Sequence, residues 1–226
     1  MRVAVLLLAV LIAGCSGALH WDGGDTSAPA RSAGTYTVKE GDTLFSIAFR
    51  HSLDHDELAR WNDIDNPSLI YPGKELQLGP GRAERQQTAS APRRSAGAST
   101  ATSSDDPGWE WPVTGEIIGR FGRDGNRGID IAGEEGDRIN AASDGRVVYS
   151  GSGLSGYGKL IIIKHNDTYL SAYAHNRELF VEEGDAVSAG QRIAEMGRAN
   201  NRQPHLHFEI RVNGEPVDPL SRLPDL

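Results

Sequence analysis

Residues 205–210 read His-Leu-His-Phe-Glu-Ile, and this stretch indicates how the C-terminal half of the chain folds. Alternate residues of a β-strand point to opposite faces of a sheet. The stretch therefore predicts a strand with His205, His207 and Glu209 on one face. The apolar residues of the other face, which can pack into a core, are Leu206, Phe208 and Ile210.

Two further segments predict strands that carry polar residues on the same surface. Asp130 lies between two isoleucines, so its carboxylate points away from the core that they enter. The same alternation predicts that Tyr173 and His175 share a face. A single histidine of this kind is more often structural, but His-x-His on one strand face together with an isolated Asp resembles a metal site.

The rest of residues 109–226 is typical of an antiparallel β domain. Short apolar runs, such as residues 147–149 and 160–163, alternate with glycine-rich turns. No segment sustains a long helical period, and regular turn signals between short strands favour antiparallel pairing. The fold class predicted for the whole chain is mainly β, with a small α+β module.

Residues 109–226 resemble the LytM or lysostaphin-type zinc metallopeptidases, which cut peptidoglycan cross-bridges. In that family a His-x-x-x-Asp motif and the second His of His-x-His bind zinc. The first His of His-x-His and a further strand His serve the attacking water and the transition state. The resemblance therefore implies metal-ligand positions at Asn126, Asp130 and His207, and catalytic positions at His175 and His205.

One of these positions departs from the family pattern, because residue 126 is asparagine where the first zinc ligand should be histidine. A neutral carboxamide is a poor zinc donor, and a catalytic zinc ion usually has three protein ligands. Without the metal, no water is acidified and no carbonyl is polarised. Residues 196–204 also lack the Gly and Thr/Ser spacing of active members. We therefore expect no enzyme activity and no cofactor. The vestigial positions would be Asp130, His175, His205 and His207.

Residues 36–78 form a second, compact unit with the predicted order β-α-α-β. Leu44, Ile47 and Ala48 give the first helix an apolar face, and Asp54 with Glu57 predicts the start of the second helix. The residues at its two ends, Tyr-Thr-Val-Lys-Glu-Gly-Asp-Thr-Leu and Leu-Ile-Tyr-Pro-Gly-Lys-Glu-Leu, resemble a LysM domain. The resemblance implies binding of peptidoglycan glycan strands in a shallow groove. By position, the glycan-binding residues would be Gly41, Asp42, Thr43, Leu44, Leu69 and Ile70.

The segments outside these two units predict export and tethering. Residues 1–14 have a basic start and a short apolar run, which is typical of a signal peptide. Cys15 follows at once and resembles the lipidated residue of a bacterial lipoprotein. Ser16, rather than Asp, favours an outer membrane lipoprotein facing the periplasm. Residues 15–35 and 79–108 contain few large apolar residues, so we expect a tether and a disordered linker.

This combination of segments resembles the NlpD-type lipoproteins, notably in Asn-x-Gly-Ile-Asp-Ile-Ala-Gly at 126–133 and in residues 165–176. These proteins activate a periplasmic N-acetylmuramoyl-L-alanine amidase during daughter-cell separation without cutting peptidoglycan themselves. The implied partner-binding groove contains Asn126, Asp130, Tyr173, His175, His205 and His207.

Two alternatives stay open at this stage. A borrowed zinc ligand, from water or from residues 198–203, would allow residual endopeptidase activity. A purely structural tether between outer membrane and cell wall would need no groove at all. Nucleic-acid binding is disfavoured, since 23 Lys and Arg against 31 Asp and Glu give a net charge of −8.

Overall fold

The computed structural model describes residues 34–66, 70–80, 106–199 and 202–225. They form an N-terminal module (residues 34–80) and a C-terminal module (residues 106–225), which cluster into one unit, Ser32–Leu226. The helices and strands are β1 (Thr35–Thr37), α1 (Leu44–His51), α2 (His55–Trp61), β2 (Glu75–Gln77), β3 (Ile117–Gly119), β4 (Ile129–Ala132), β5 (Arg138–Asn140), β6 (Gly145–Gly151), β7 (Lys159–Lys164), β8 (Tyr169–Leu179), β9 (Ala186–Val187), β10 (Arg192–Met196), β11 (His205–Val212) and β12 (Glu215–Val217).

The N-terminal module has the predicted β-α-α-β order. Strands β1 and β2 pair antiparallel, with Tyr36 opposite Leu76. Helix α1 begins with a capping box in which the Thr43 side chain and the Ser46 backbone and side chain bond reciprocally. Asp54 caps α2 by accepting a hydrogen bond from the backbone of Glu57. The small core of the module contains Val38, Leu44, Ile47, Ala48, Leu53, Leu58, Ile64 and Leu76.

The C-terminal module is one antiparallel sheet, as the turn pattern predicts. Its main path runs β3-β4-β11-β8-β7-β6-β9, while β12 pairs with β11 and β10 pairs with β8 and β5. One face of this sheet carries the main core, which includes both isoleucines beside Asp130 and the apolar residues of β11. The predicted inward direction of those residues is thus confirmed.

The second face of the sheet is partly covered by the N-terminal module. Phe49 of α1 belongs to an apolar cluster that otherwise comes from β6, β7, β8 and the loop between β6 and β7. Gly214, in the turn between β11 and β12, lies against Leu53 so closely that a Cβ atom would be 2.2 Å from its carbonyl oxygen. A residue larger than glycine would therefore push the two modules apart. The rest of this face is open and holds the polar residues described next.

Candidate functional site

The open part of the second sheet face is a groove where three neighbouring strands meet. Strand β11 pairs with β4 on one side and β8 on the other, so His207 lies opposite both Asp130 and Ala174. A cavity of about 450 Å³ is lined there by Asn126, Asp130, His175 and His207. We call these four residues the histidine groove. The structure therefore brings four of the six predicted groove residues together at one surface.

His207 is bound by a carboxylate at each ring nitrogen. Its Nδ1 lies 2.7 Å from Asp130 Oδ1, and its Nε2 lies 3.1 Å from Glu209 Oε1. A carboxylate accepts hydrogen bonds, so both nitrogens must carry protons for both contacts to be hydrogen bonds. Burial lowers the pKa of His207, but the two carboxylates outweigh it and raise the pKa to about 9. The two carboxylates therefore favour the protonated form of His207.

Glu209 lies beneath His207 and is fully buried. Besides His207, it accepts hydrogen bonds from Tyr157 Oη at 2.8 Å and from Arg211 Nε at 2.8 Å. Burial raises the pKa of Glu209, but the hydrogen bond from His207 and the charge of Arg211 lower it below its usual value. The buried charges thus alternate in sign from Asp130 through His207 and Glu209 to Arg211, which compensates each of them locally.

Asp130 occupies its position because the neighbouring strand offers space. A Cβ atom at Gly119 would lie 2.3 Å from Asp130 Oδ2, so any larger residue there would displace the carboxylate. Burial raises the pKa of Asp130, whereas the hydrogen bond and charge of His207 lower it, and the net shift is downward. Asp130 therefore stays ionised and paired with His207.

The other two histidines bond to each other and to backbone carbonyls. His175 Nδ1 lies 2.9 Å from His205 Nε2, while His205 Nδ1 lies 2.8 Å from the carbonyl oxygen of Gln203. His175 Nε2 also lies 3.3 Å from the carbonyl of Gly156. A neutral imidazole has one N–H group, so a neutral His175 can donate to only one of its two partners, His205 or the Gly156 carbonyl. Burial, followed by the charges of His205 and His207, lowers the pKa of His175 to about 4.

The predicted placement of Tyr173 beside His175 is wrong. Tyr173 is fully buried on the core face, where it packs against Phe208 and its hydroxyl bonds to Ala142 N at 2.8 Å and Ser171 Oγ at 2.9 Å. The reason is a break in the strand alternation at His175, whose φ of 65° is left-handed. This break turns the His175 side chain to the groove face, opposite to Tyr173.

His205, which was also predicted to be part of the partner-binding groove, is buried and does not line the cavity. His205 lies on the same face as His207 but is only 1% exposed. The ring of His175 lies against it, with a distance of 4.7 Å between the ring centroids. A partner molecule in the groove would therefore contact His175, with His205 holding the His175 ring from behind.

Asn126 lines the groove, but its side chain is used locally. It follows a short 3₁₀ turn (Arg123–Gly125), and its Oδ1 accepts a hydrogen bond from the backbone of Gly128 at 2.9 Å. Among the residues that the structure describes, no group of three or more His, Cys, Asp or Glu side chains is arranged to hold a metal ion. The described residues thus do not fit a three-ligand zinc centre. That the protein needs no zinc stays a prediction.

Three arginines at the rim of the groove were not part of the predicted site. Arg120, Arg123 and Arg202 line the same cavity as Asp130 and His207. None of the three forms an ion pair with another described residue. Asp124 lines the cavity too, so three arginines against this one carboxylate give the rim a net positive charge although the chain as a whole is acidic. Arg120 and Arg123 lie close to position 126 in the sequence, so their place at the groove could have been predicted. Arg202 is distant in the sequence and reaches the groove only through the fold.

Four of the six predicted glycan-binding residues line one cavity. Asp42, Thr43, Leu44 and Ile70 line a space of about 410 Å³. Gly41 belongs to the same turn and has a φ of 80°, which favours glycine. Leu69 lies outside the described residues, as do the predicted lipidation site Cys15 and most of the predicted linker.

Comparison with known proteins agrees with both modules. Residues 36–79 match the LysM domain model, and residues 124–219 match Peptidase family M23. The lipoprotein NlpD/LppB homolog of Pseudomonas aeruginosa is 44% identical over 88% of this chain and 82% of its own length. The chain belongs to the NlpD lipoprotein family.

Two other relatives are similar to this chain over most of their length. The murein hydrolase activator NlpD of Escherichia coli is 38% identical over 85% of this chain and 68% of its own length. The uncharacterized lipoprotein YgeR of the same organism is 39% identical over 98% of this chain and 92% of its own. In the described part of this chain, no helix has the length and apolarity needed to span a membrane.

Proposed function

We propose that the protein activates a peptidoglycan hydrolase, specifically an N-acetylmuramoyl-L-alanine amidase, and does not cut peptidoglycan itself. The amidase would bind at the histidine groove and shift from an autoinhibited to an open state. Such a shift requires only that the groove bind the open state more tightly. The proposed setting is septal peptidoglycan during daughter-cell separation. Relatives named murein hydrolase activators support the hydrolase-activating part of this proposal.

The observation that carries the proposal is the asparagine at position 126. A neutral carboxamide is a poor zinc donor, and it leaves Asp130 and His207 as the remaining ligand positions. Asn126, at the third ligand position, is bonded to its own turn. A groove with only two remaining ligand positions suits a docking surface better than a zinc centre.

The arginine rim supports an acidic partner surface. Arg120, Arg123 and Arg202 have no carboxylate partner among the described residues, so a partner's Asp and Glu side chains could pair with them without displacing an internal bond. Complementary charge of this kind increases the rate of encounter and fixes the orientation of the complex. We therefore propose that the amidase segment that enters the groove is acidic.

The N-terminal module would hold the protein at its site of action. Its LysM match supports binding to peptidoglycan glycan strands. The names of the relatives support a lipoprotein anchor, for which we propose Cys15, and the outer membrane facing the periplasm as its location.

Release of dye from labelled sacculi tests the proposal directly. Three reactions are compared: the chain alone with zinc, the amidase alone, and both together. We expect release above the amidase background only when both are present. Release by the chain alone that depends on zinc would overturn the proposal and favour a peptidase. No stimulation of the amidase would also overturn it and leave a structural tether.

A charge reversal in the groove sharpens this test. Arg123→Glu should reduce stimulation roughly tenfold, because like charges across an interface are repulsive. The matched control is Arg60→Glu, which reverses an exposed charge on α2 and should leave stimulation unchanged. Equal stimulation by both variants would exclude the groove as the docking site.

A further inference from the structure

The predicted glycan cavity of the N-terminal module has a second wall that comes from the C-terminal module. Besides Asp42, Thr43, Leu44 and Ile70, its lining includes Phe45, Arg146, Val147, Val148, Glu183 and Gly184. The last five residues belong to the start of β6 and to the turn before β9. The cavity volume of about 410 Å³ falls in the range of small-molecule sites. We call this space the intermodule cavity.

The polar side chains on the N-terminal wall are already committed to their own turn. Asp42 accepts hydrogen bonds from Tyr36 Oη at 2.7 Å and from Lys39 N at 2.8 Å, and it forms an ion pair with Arg50. Thr43 Oγ1 caps helix α1 by accepting a bond from Ser46 N. This wall therefore offers a ligand few free side-chain acceptors.

The C-terminal wall offers polar side chains that can bind a ligand. Arg146 Nη1 donates to the carbonyl of Gly184 at 2.5 Å, which leaves its other N–H groups without a partner among the described residues. Glu183 has neither a hydrogen-bond nor an ion-pair partner in the described part of the chain. Partial burial raises the pKa of this carboxyl. A cation and an anion thus line one cavity without pairing with each other.

The unpaired charges of Arg146 and Glu183 indicate which class of ligand the cavity can bind. An anionic ligand would meet Glu183 and Asp42, whereas a cationic ligand would meet Arg146. A neutral ligand with many hydroxyl and amide groups can bond to both charges, because it offers donors and acceptors together. Phe45 and Ile70 also line the cavity and are only partly buried, so they can pack against the apolar face of a sugar ring. These are the properties of an N-acetylated saccharide.

We propose that the glycan-binding site is composite, and that Arg146 and Glu183 of the C-terminal module bind the saccharide held by the N-terminal module. This inference rests on the proposed glycan binding of the LysM match and assigns it two further residues. It implies that glycan binding stabilises the packing of the two modules, because the ligand contacts both. The wall-bound protein would therefore hold its histidine groove in a fixed orientation to the glycan strand.

Calorimetric titration of the full chain in detergent with a soluble β-1,4-linked N-acetylglucosamine oligomer tests the composite site. Arg146→Ala and Glu183→Gln should each weaken binding roughly tenfold, the effect of losing a hydrogen bond to a charged group. Glu183→Gln changes the charge but hardly the shape, so a weakened complex cannot be attributed to misfolding.

Two matched controls should keep the affinity of the unaltered chain. Glu182→Gln changes the exposed neighbour of Glu183, which does not line the cavity. Arg138→Ala removes another arginine that donates to the carbonyl of a neighbouring loop, at Gly190. Unchanged binding by the Arg146 and Glu183 variants would overturn the composite site, and tighter binding would do so too, because the C-terminal wall would then obstruct the saccharide.

A variant on the N-terminal wall separates this inference from the proposed function. Ile70→Ala should weaken oligomer binding as well, since Ile70 lines the cavity from the LysM side. If only Ile70→Ala weakens binding, glycan binding by the LysM module stands and the composite site fails. If the unaltered chain does not bind the oligomer, both are overturned.

Discussion

The two halves of the histidine groove hold histidines in opposite electrostatic states. In one half, His207 lies between the carboxylates of Asp130 and Glu209, and its pKa is raised to about 9. In the other half, His175 faces only a histidine and a carbonyl, and its pKa is lowered to about 4. Both rings are largely buried on the same sheet face, so burial alone does not decide the charge. The partner atoms decide it.

The difference shows that two histidines in one groove can favour opposite charge states. In the first half, which we call the carboxylate half, a proton on His207 compensates Asp130 and Glu209, and Arg211 compensates Glu209 from its other side. In the second half, which we call the carbonyl half, the lowered pKa of His175 favours a neutral ring. Neither half depends on the other for the balance of its charges, so a substitution in one half should affect the other less.

The largest expected effect on stability comes from removing Arg211, which binds the buried Glu209. Arg211→Ala leaves Glu209 buried beside His207 with one cation fewer, and it removes the guanidinium that stacks on Phe49 at 3.4 Å from the ring centre. Removing one partner of a buried pair costs about 3–5 kcal/mol of unfolding free energy. Unfolding in urea, monitored by circular dichroism, measures this loss.

A surface pair provides the control for that variant. Arg198→Ala breaks an ion pair with Glu135 whose two side chains are about half exposed. It should cost no more than about 1 kcal/mol, because water screens the pair. A similar cost for both variants would show that the buried chain of charges contributes nothing special to stability.

The second prediction concerns the opposite pH dependence of the two halves. The raised pKa of His207 contributes stability that is complete below pH 6.5 and is lost as the pH rises towards 9, by up to about 3 kcal/mol. The lowered pKa of His175 contributes stability that is present above pH 6.5 and is lost as the pH falls towards 4.

Urea unfolding over this pH range, for the unaltered chain and for His207→Gln, checks the alkaline side. The difference in stability between the two proteins should be large at pH 6 and should shrink as the pH approaches 9. The corresponding His175→Asn variant should differ from the unaltered chain by an amount that changes below pH 6.5 and is constant above it. The same pH profile for both variants would contradict the assignment of charge to the two rings.

The sequence could predict the parts of this site that lie on regular β-strands. The alternation of side chains along a strand correctly predicted the faces of Asp130, His207 and the apolar residues of β11, because β4 and β11 are regular strands paired in register. It failed at Tyr173, because the left-handed backbone at His175 interrupts the alternation of β8. His175 is not a glycine or asparagine, so no turn residue marked that break.

Contacts between distant segments were beyond the sequence pattern. The modules were expected to be separate, yet Phe49 accepts a hydrogen bond from Arg211 at 2.6 Å across 162 residues. Nothing in the apolar period of α1 distinguishes Phe49, which packs on the sheet, from Ile47, which packs inside its own module. The LysM order β-α-α-β, by contrast, depends on caps and turns that are local and was predicted in full.

The third prediction concerns the effect of the Asp130 charge on the pKa of His207. Asp130→Asn removes one of the two anions beside His207 but keeps a side chain of the same size. The pKa of His207 should fall by about 1–3 units, the usual effect of one close opposite charge. Histidine ring signals followed by NMR between pH 5 and 10 measure it. The His175 signals should move less, since that ring has no direct bond to Asp130, and an equal shift of both would contradict the separation into two halves.

The smallest expected effect comes from adding a third metal ligand to the carboxylate half. Asn126→His supplies a third ligand next to Asp130 and His207, and should tighten zinc binding about tenfold or more at pH 7. The gain is limited because zinc must displace the proton that His207 holds between two carboxylates. Metal binding by a protonated ligand releases that proton, so zinc affinity should rise between pH 7 and 9 and then level off. Equilibrium dialysis against zinc measures both quantities, with Asn126→His/His207→Gln as the control that lacks this proton. Zinc affinity that is independent of pH would mean that His207 is already neutral, and the contrast between the two halves would then disappear.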